Sequence, residues 1–158
     1  MKPEHKKWLM TVVFLQVLLL GGLVGMKETL LRTGQTVKLE LAPIDPRSLM
    51  QGDYVRLNYK IGTLPNGITI PKGRYRVKLV LSKGENGIHQ FKSLYQKGMR
   101  VEKDDALITG WVYRDGHLVF GIESFFVPEN TGRELERTVK YGIVKLSTTG
   151  DALLVGLE

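Results

Sequence analysis

The chain has 158 residues, of which 42% are hydrophobic and 25% are charged, and these values are ordinary for a folded protein rather than a disordered, collagen-like or coiled-coil one. Cysteine is absent, which excludes disulfides, thiolate metal sites, a cysteine nucleophile and a lipidated cysteine. The 23 basic and 16 acidic residues give a formal net charge of +7, a surplus that suits an anionic surface or an acidic partner but identifies neither.

The strongest signal is an uncharged segment near the N-terminus, Trp8–Met26. As a helix rising about 1.5 Å per residue it would be roughly 28 Å long, close to the hydrocarbon thickness of a bilayer. Thr11 and Gln16 are its only clearly polar side chains, so it lacks the polar stripe of a helix that packs on a soluble core. We therefore predict a membrane-spanning helix, which Met26–Thr33 could prolong by two turns.

A cleaved signal peptide is the alternative to an uncleaved anchor. Cleavage needs a shorter apolar stretch, of about 7–15 residues, with small residues at alternate positions before the cut. Here the glycines near the end of the segment stand beside Leu20, Leu23 and Val24. The pattern therefore favours an anchor.

Basic residues at the two ends of the segment indicate its orientation. Lys2, Lys6 and Lys7 precede it, whereas Lys27 and Arg32 follow it. The positive-inside rule keeps such a short basic tail in the cytoplasm. The predicted organisation is a cytoplasmic tail over residues 1–7, a transmembrane signal-anchor helix over residues 8–26 and an extracytoplasmic β-rich domain over residues 27–158.

Three residues of this segment suggest a contact with another helix. Gly21 and Gly25 have the four-residue spacing that lets two membrane helices approach closely. Gln16 stands near mid-depth, where lipid offers its amide no hydrogen-bond partner. Together they favour association with a second membrane helix.

Alternation of apolar and polar residues dominates the chain after residue 35 and is typical of strands. The alternating segments are Thr36–Leu41, Tyr54–Ile61, Tyr75–Leu81, Ile88–Leu94, Ala106–Tyr113, Leu118–Val127, Tyr141–Leu146 and Ala152–Leu157. Turn-forming residues at Lys83–Gly87, Arg114–His117 and Thr149–Asp151 predict three hairpins. Only Pro46–Gln51 and Thr131–Glu136 resemble helical turns. We predict an all-β domain of about eight strands, as a twisted sheet, a sandwich or a partly open barrel.

The segment Tyr54–Ile61 has two different faces. Its apolar face, which we assign to the core, consists of Val55, Leu57, Tyr59 and Ile61. Its polar face, which we assign to the outside, consists of Tyr54, Arg56 and Asn58. The outer face is either solvated or a contact surface, because Tyr and Arg are common interface anchors.

The same segment completes a motif. The string Gly52-Asp53-Tyr54-Val55-Arg56-Leu57-Asn58-Tyr59 resembles the GDYxxLxY motif that names a family of bacterial membrane-anchored proteins. Further residues that look like that family are Asp45, Pro46, Arg47, Leu49, Gly121, Ile122, Glu123, Phe125–Glu129, Gly132, Leu135 and Glu136. One departure is Asn130, where a glycine is expected. The resemblance implies a single-pass protein of the bacterial cell envelope, sometimes associated with polytopic membrane proteins, and it brings no activity.

Catalytic alternatives find less support in the sequence. The string Leu49-x-x-Gly52-Asp53-x-Val55 looks like the segment after the nucleophile of type I signal peptidases, but the nucleophile's position holds Ile44, which cannot attack a carbonyl. The histidines at positions 5, 89 and 117 lack metal-ligand spacing, so we expect neither a metal nor another cofactor. Asp53 with Glu123 or Glu129 could form a carboxylate pair for acid/base chemistry.

Two functions follow from these patterns. The first is a non-catalytic envelope protein whose domain binds or stabilises a membrane protein; the alternative is a hydrolase of cell-wall or surface polymer that uses paired carboxylates. Without the tail the domain keeps 20 basic and 15 acidic residues, a net charge of +5, so binding of anionic lipid or polymer is a third idea. No nucleic-acid recognition pattern is present. The residues expected to form or shape a binding surface are Asp45, Pro46, Arg47, Gly52, Asp53, Tyr54, Arg56, Leu57, Tyr59, Glu129, Gly132 and Glu136.

Overall fold

The computed structural model describes residues 3–42, 54–65, 68, 73, 75–113, 117–127 and 138–158. One helix precedes nine short strands. In chain order the elements are α1 (Pro3–Thr33), β1 (Gln35–Glu40), β2 (Tyr54–Arg56), a 3-10 turn (Lys60–Gly62), β3 (Tyr75–Lys83), β4 (Ile88–Leu94), β5 (Ala106–Val112), β6 (Leu118–Val119), β7 (Ser124–Phe126), β8 (Tyr141–Leu146) and β9 (Ala152–Leu157). The predicted helical turns Pro46–Gln51 and Thr131–Glu136 lie outside the described residues.

Helix α1 contains the predicted segment and extends beyond it at both ends. It is long and apolar enough to cross a membrane, and none of its most apolar stretch is buried by the other residues that the structure describes. The predicted prolongation through Met26–Thr33 is confirmed. The Thr11 hydroxyl donates to the Lys7 carbonyl at 3.0 Å, which satisfies this polar group within the helix. The helix ends at Thr33, and only Gly34 separates it from β1.

The strands form a seven-stranded sheet in the order β6-β5-β3-β4-β1-β8-β9, and β2 pairs with β7 in a separate ribbon. Strands β1 and β4 are parallel, whereas the other described neighbours are antiparallel. The sheet curls into a half-barrel, so the predicted all-β domain is confirmed. The β3–β4, β5–β6 and β8–β9 hairpins are confirmed as well, although the tip of the second lies outside the described residues.

The curl brings the tip of the β8–β9 hairpin to the edge of β5. The Thr109 amide donates to the carbonyl of Gly150 at 2.8 Å. Gly150 has a φ of +93°, and a β-carbon there would lie 2.6 Å from the hydroxyl oxygen of Thr109. This contact therefore depends on the absence of a side chain at position 150.

Two long strands of the sequence prediction are interrupted in the structure. The segment Tyr54–Ile61 forms a strand only as far as Arg56, because its later residues pair elsewhere: Tyr59 bridges to Leu41 of the chain after β1. The segment Leu118–Val127 breaks at Gly121, where φ is +80°. Each interruption allows one part of the segment to pair within the ribbon and the other part to pair with the main sheet or the residue that follows β1.

The concave side of the sheet and the ribbon enclose the core. Its most deeply buried side chains come from β1, β3, β5, β8 and the stretches around β6 and the 3-10 turn: Val37, Leu39, Tyr59, Leu79, Leu81, Ile108, Val112, Leu118, Val144 and Leu146. The predicted core face of the motif segment is confirmed, since Val55, Leu57, Tyr59 and Ile61 are all buried. These alternating apolar residues explain why the chain forms strands here.

Candidate functional site

The second half of the motif lies in the core. Tyr59 is 2% exposed, and its hydroxyl donates to the carbonyl of Ile122 at 3.0 Å. Its ring meets that of Phe120 edge-on, with centroids 6.5 Å apart. Burial raises the pKa of Tyr59, and the nearby charge of Glu123 raises it further, so the phenol remains a neutral donor. Leu57 is buried as well, and its amide donates to the Glu123 carbonyl at 2.7 Å.

Glu123 has a local structural role in the turn between β6 and β7. Its carboxylate accepts hydrogen bonds from the amides of Phe120 and Gly121, the latter at 2.8 Å. A carboxylate that holds two backbone amides stabilises the turn in which Gly121 has positive φ. The other members of the carboxylate-pair hypothesis, Asp53 and Glu129, lie outside the described residues, and the pair stays a prediction.

The outer face of the motif segment lies on the β2–β7 ribbon. Arg56 is exposed, as predicted, and stands opposite Ser124. The register places Tyr54 opposite Phe126, whose side chain is 66% exposed. The ribbon thus exposes the side chains of Arg56 and Phe126. The remaining motif residues of the prediction, which are Asp45, Pro46, Arg47, Gly52, Gly132 and Glu136, lie outside the described residues.

The predicted contact residues of the helix are all exposed. A β-carbon placed on Gly21 or Gly25 would meet nothing within 4 Å in the part of the chain that the structure describes. Gln16 is exposed too, and its amide has no hydrogen bond within the described residues. This face is open to a partner, but the ribbon and the helix face are not brought together into one site.

A cleft of about 820 Å³ lies at the base of helix α1, and the sequence patterns did not reveal it. Its walls are the last two turns of the helix, the segment before β5 and the β8–β9 hairpin tip. The lining residues are Met26, Lys27, Thr29, Leu30, Thr33, Gly34, Gln35, Val101, Glu102, Lys103, Asp105, Leu107, Leu146, Ser147, Thr148 and Asp151. Because three distant segments build it, no local motif could have identified it.

Carboxylates of the cleft are already engaged. Lys92 binds Asp105 at 2.8 Å and Glu102 at 3.0 Å, and the side chain of Asp105 is nearly buried. The hydrogen bond with Asp105 is the main reason that the pKa of Lys92 is raised. Asp151 accepts hydrogen bonds from the hydroxyls of Thr149 at 2.6 Å and Ser147 at 3.2 Å, which lower its pKa. Among the described residues no His, Asp and Glu side chains are grouped as a metal site requires.

His89 of β4 makes the stability of the domain depend on pH. It is 4% exposed, and burial lowers its pKa below the usual 6.5, while Lys83 lowers it further and Asp105 opposes the shift. The folded state therefore disfavours protonation. Below about pH 6.5 the unfolded chain binds a proton that the folded chain excludes, so the free energy of unfolding falls as pH decreases from there toward the pKa of the folded state.

Urea unfolding of the full chain in neutral detergent tests this dependence. We expect lower stability at about pH 5.5 than at about pH 7, and we expect the difference to shrink in His89→Leu, which cannot bind the proton. An equal loss of stability in wild type and His89→Leu would show that other groups cause it.

Comparison with known proteins gives one match. A family model described as GDYXXLXY protein matches residues 16–157, which include the C-terminal half of helix α1 and nearly all of the β domain. No curated protein and no solved structure matches the chain.

Proposed function

The chain belongs to the GDYXXLXY family, whose function is unknown, and we propose that it is a non-catalytic, membrane-anchored protein of the bacterial cell envelope. In this proposal, the outward-facing β domain binds or stabilises a membrane-protein partner. Helix α1 carries the proposal. None of its most apolar stretch is buried by the described part of the chain, and lipid would cover that exposed surface.

The short connection between helix and domain supports a partner that is itself in the membrane. Only Gly34 separates α1 from β1, its amide bonds to the Leu30 carbonyl at 2.9 Å, and Lys145 donates to its carbonyl at 3.2 Å. Leu30 is buried at the same junction. A flexible linker would let the domain search far from the bilayer, whereas this junction holds it close to the surface.

Two surfaces are suited to recognition. In the helix, Gly21 and Gly25 leave a groove that another helix could fill, and Gln16 offers an amide that lipid cannot satisfy. On the domain, the ribbon exposes Arg56 and Phe126, and arginine and aromatic residues are common at interfaces. A partner with both a membrane helix and an outer loop would contact both.

The helix contact predicts different effects for its two polar residues. Gln16→Leu is expected to lower the yield of a cross-linked partner several-fold, because an interhelical hydrogen bond in lipid contributes roughly 0.6–2 kcal/mol. Thr11→Val is the matched control, since the Thr11 hydroxyl is satisfied by Lys7 within the helix. The measurement is quantitative mass spectrometry of cross-linked, mildly solubilised membranes.

The same preparation tests the other parts of the proposal. Arg56→Ala should reduce recovery of the partner, while Arg100→Ala, at another exposed arginine that is not part of the ribbon, should not. Extraction of the membranes with alkaline carbonate should leave the chain in the pellet. A chain released by carbonate would contradict the anchor, and recovery of the chain alone in every sample would contradict the accessory function.

A further inference from the structure

We propose that the cleft at the base of helix α1 binds one anionic phospholipid of the surrounding bilayer through the phosphate of its headgroup. The proposal rests on the membrane anchoring proposed above. It adds a defined ligand site to the β domain, distinct from the ribbon and from the glycine face of the helix. Its depth and its apolar lining support a lipid, and two lysines supply donors for the phosphate.

The depth of the cleft matches the headgroup layer. The uncharged segment of the helix ends at Met26, and the helical residues that line the cleft run from there to Thr33. Seven residues of helix rise roughly 10 Å. Headgroups occupy the first several ångströms beyond the hydrocarbon on each side of a bilayer. If the segment spans the membrane, the cleft therefore opens where lipid phosphates lie.

Two lysines of the cleft, Lys27 and Lys103, can donate to an anion. Of its acidic residues, Glu102 and Asp105 share Lys92, and Asp151 is held by two hydroxyls. For its two lysines, Lys27 and Lys103, no hydrogen bond or ion pair exists among the described residues. With Lys92, these two lysines balance the three carboxylates of the cleft, so the cleft is neutral overall. After the hydrogen bond from Thr149, the charge of Lys27 also helps to lower the pKa of Asp151, and both ammonium groups can still donate to a phosphate, as charge-assisted hydrogen bonds.

The lining favours a lipid over a small anion. Between the charged groups the cleft is walled by Leu30, Val101, Leu107 and Leu146. These side chains would cover the glycerol and the first methylene groups of the acyl chains, which inorganic phosphate lacks. A volume of about 820 Å³ is ample for such a portion of a lipid.

Native mass spectrometry of the full chain, released from neutral detergent, tests the proposal by counting bound ligand. The chain is mixed in separate samples with phosphatidylglycerol, with diacylglycerol, which lacks the phosphate, and with inorganic phosphate, which lacks the chains. We expect one phosphatidylglycerol per chain, and much weaker binding of the other two.

Variants locate the site. The double variant Lys27→Gln/Lys103→Gln should bind phosphatidylglycerol about tenfold more weakly or worse, because hydrogen bonds to a charged group are lost. Lys97→Gln/Arg100→Gln is the matched control, with the same change in net charge on exposed residues outside the cleft. Lys27→Arg/Lys103→Arg should retain binding, and unchanged thermal unfolding of each variant shows that it is folded.

Several outcomes would overturn the proposal. An equal loss of phosphatidylglycerol binding in the two glutamine double variants would mean general charge attraction. Inorganic phosphate binding as well as phosphatidylglycerol would mean a simple anion site. Diacylglycerol binding as well as phosphatidylglycerol would mean that the phosphate is not recognised. Failure here is separate from failure of the proposed function. Carbonate extraction tests the anchor and cross-linking tests the partner, and neither depends on ligand in the cleft.

Discussion

Replacing Gly150 with alanine is expected to lower the free energy of unfolding by about 2–5 kcal/mol. Its φ of +93° costs an L residue about 1–2 kcal/mol, and crowding in a packed region adds about 1–3 kcal/mol. The crowding arises because the new methyl group would lie 2.6 Å from the Thr109 hydroxyl and 3.3 Å from the Thr109 amide nitrogen. That amide donates to the Gly150 carbonyl at 2.8 Å, so relief by movement of the turn would weaken the contact that closes the curl.

Gly98 provides the matched control for this prediction. Its φ of +91° is nearly the same, but a β-carbon there meets nothing within 4 Å of the described residues. Gly98→Ala should therefore cost only the conformational part, about 1–2 kcal/mol. Urea unfolding of both variants, with the full chain in neutral detergent, separates the two contributions. Equal losses would show that the β8–β9 tip does not press against β5.

The local elements of the fold could be predicted, but their order in the sheet could not. Apolar alternation located β1, β3, β4, β8 and β9 because each buries one face against the core. The parallel pairing of β1 with β4 joins strands about fifty residues apart, and no turn between them specifies it. Alternation also cannot report a change of partner strand, so the sequence alone predicts unbroken strands starting at Tyr54 and Leu118.

The features of the candidate sites could likewise be predicted only in part. Exposure of Arg56 and burial of Leu57 followed from a strand's period of two. The role of Glu123 did not, because a carboxylate that accepts backbone amides has the same sequence signature as one in a cleft. The cleft at the base of α1 depends on helix, loop and hairpin tip meeting in space. The net charge of the cleft depends on the pairing of Lys92 with Glu102 and Asp105. This pairing likewise arises only in the folded chain.

Tyr59 decides which part of the motif is architectural, and removal of its side chain should have a large effect on stability. Tyr59→Ala is expected to lower the free energy of unfolding by about 3–5 kcal/mol, because it empties the space between Phe120 and Gly142. Tyr59→Phe keeps the ring but leaves the buried carbonyl of Ile122 without its donor, which costs about 1–3 kcal/mol.

Arg56→Ala is the control within the same motif. Its side chain is exposed, so its loss should change the free energy of unfolding by no more than about 0.5 kcal/mol. Urea unfolding of the three variants measures this order directly. If Tyr59→Phe were as stable as wild type, the hydroxyl of Tyr59 would have no structural role. A role of that hydroxyl in binding a partner would then have to be tested. If instead the order holds, the second tyrosine of the motif maintains the core, while Arg56 remains available on the ribbon for recognition.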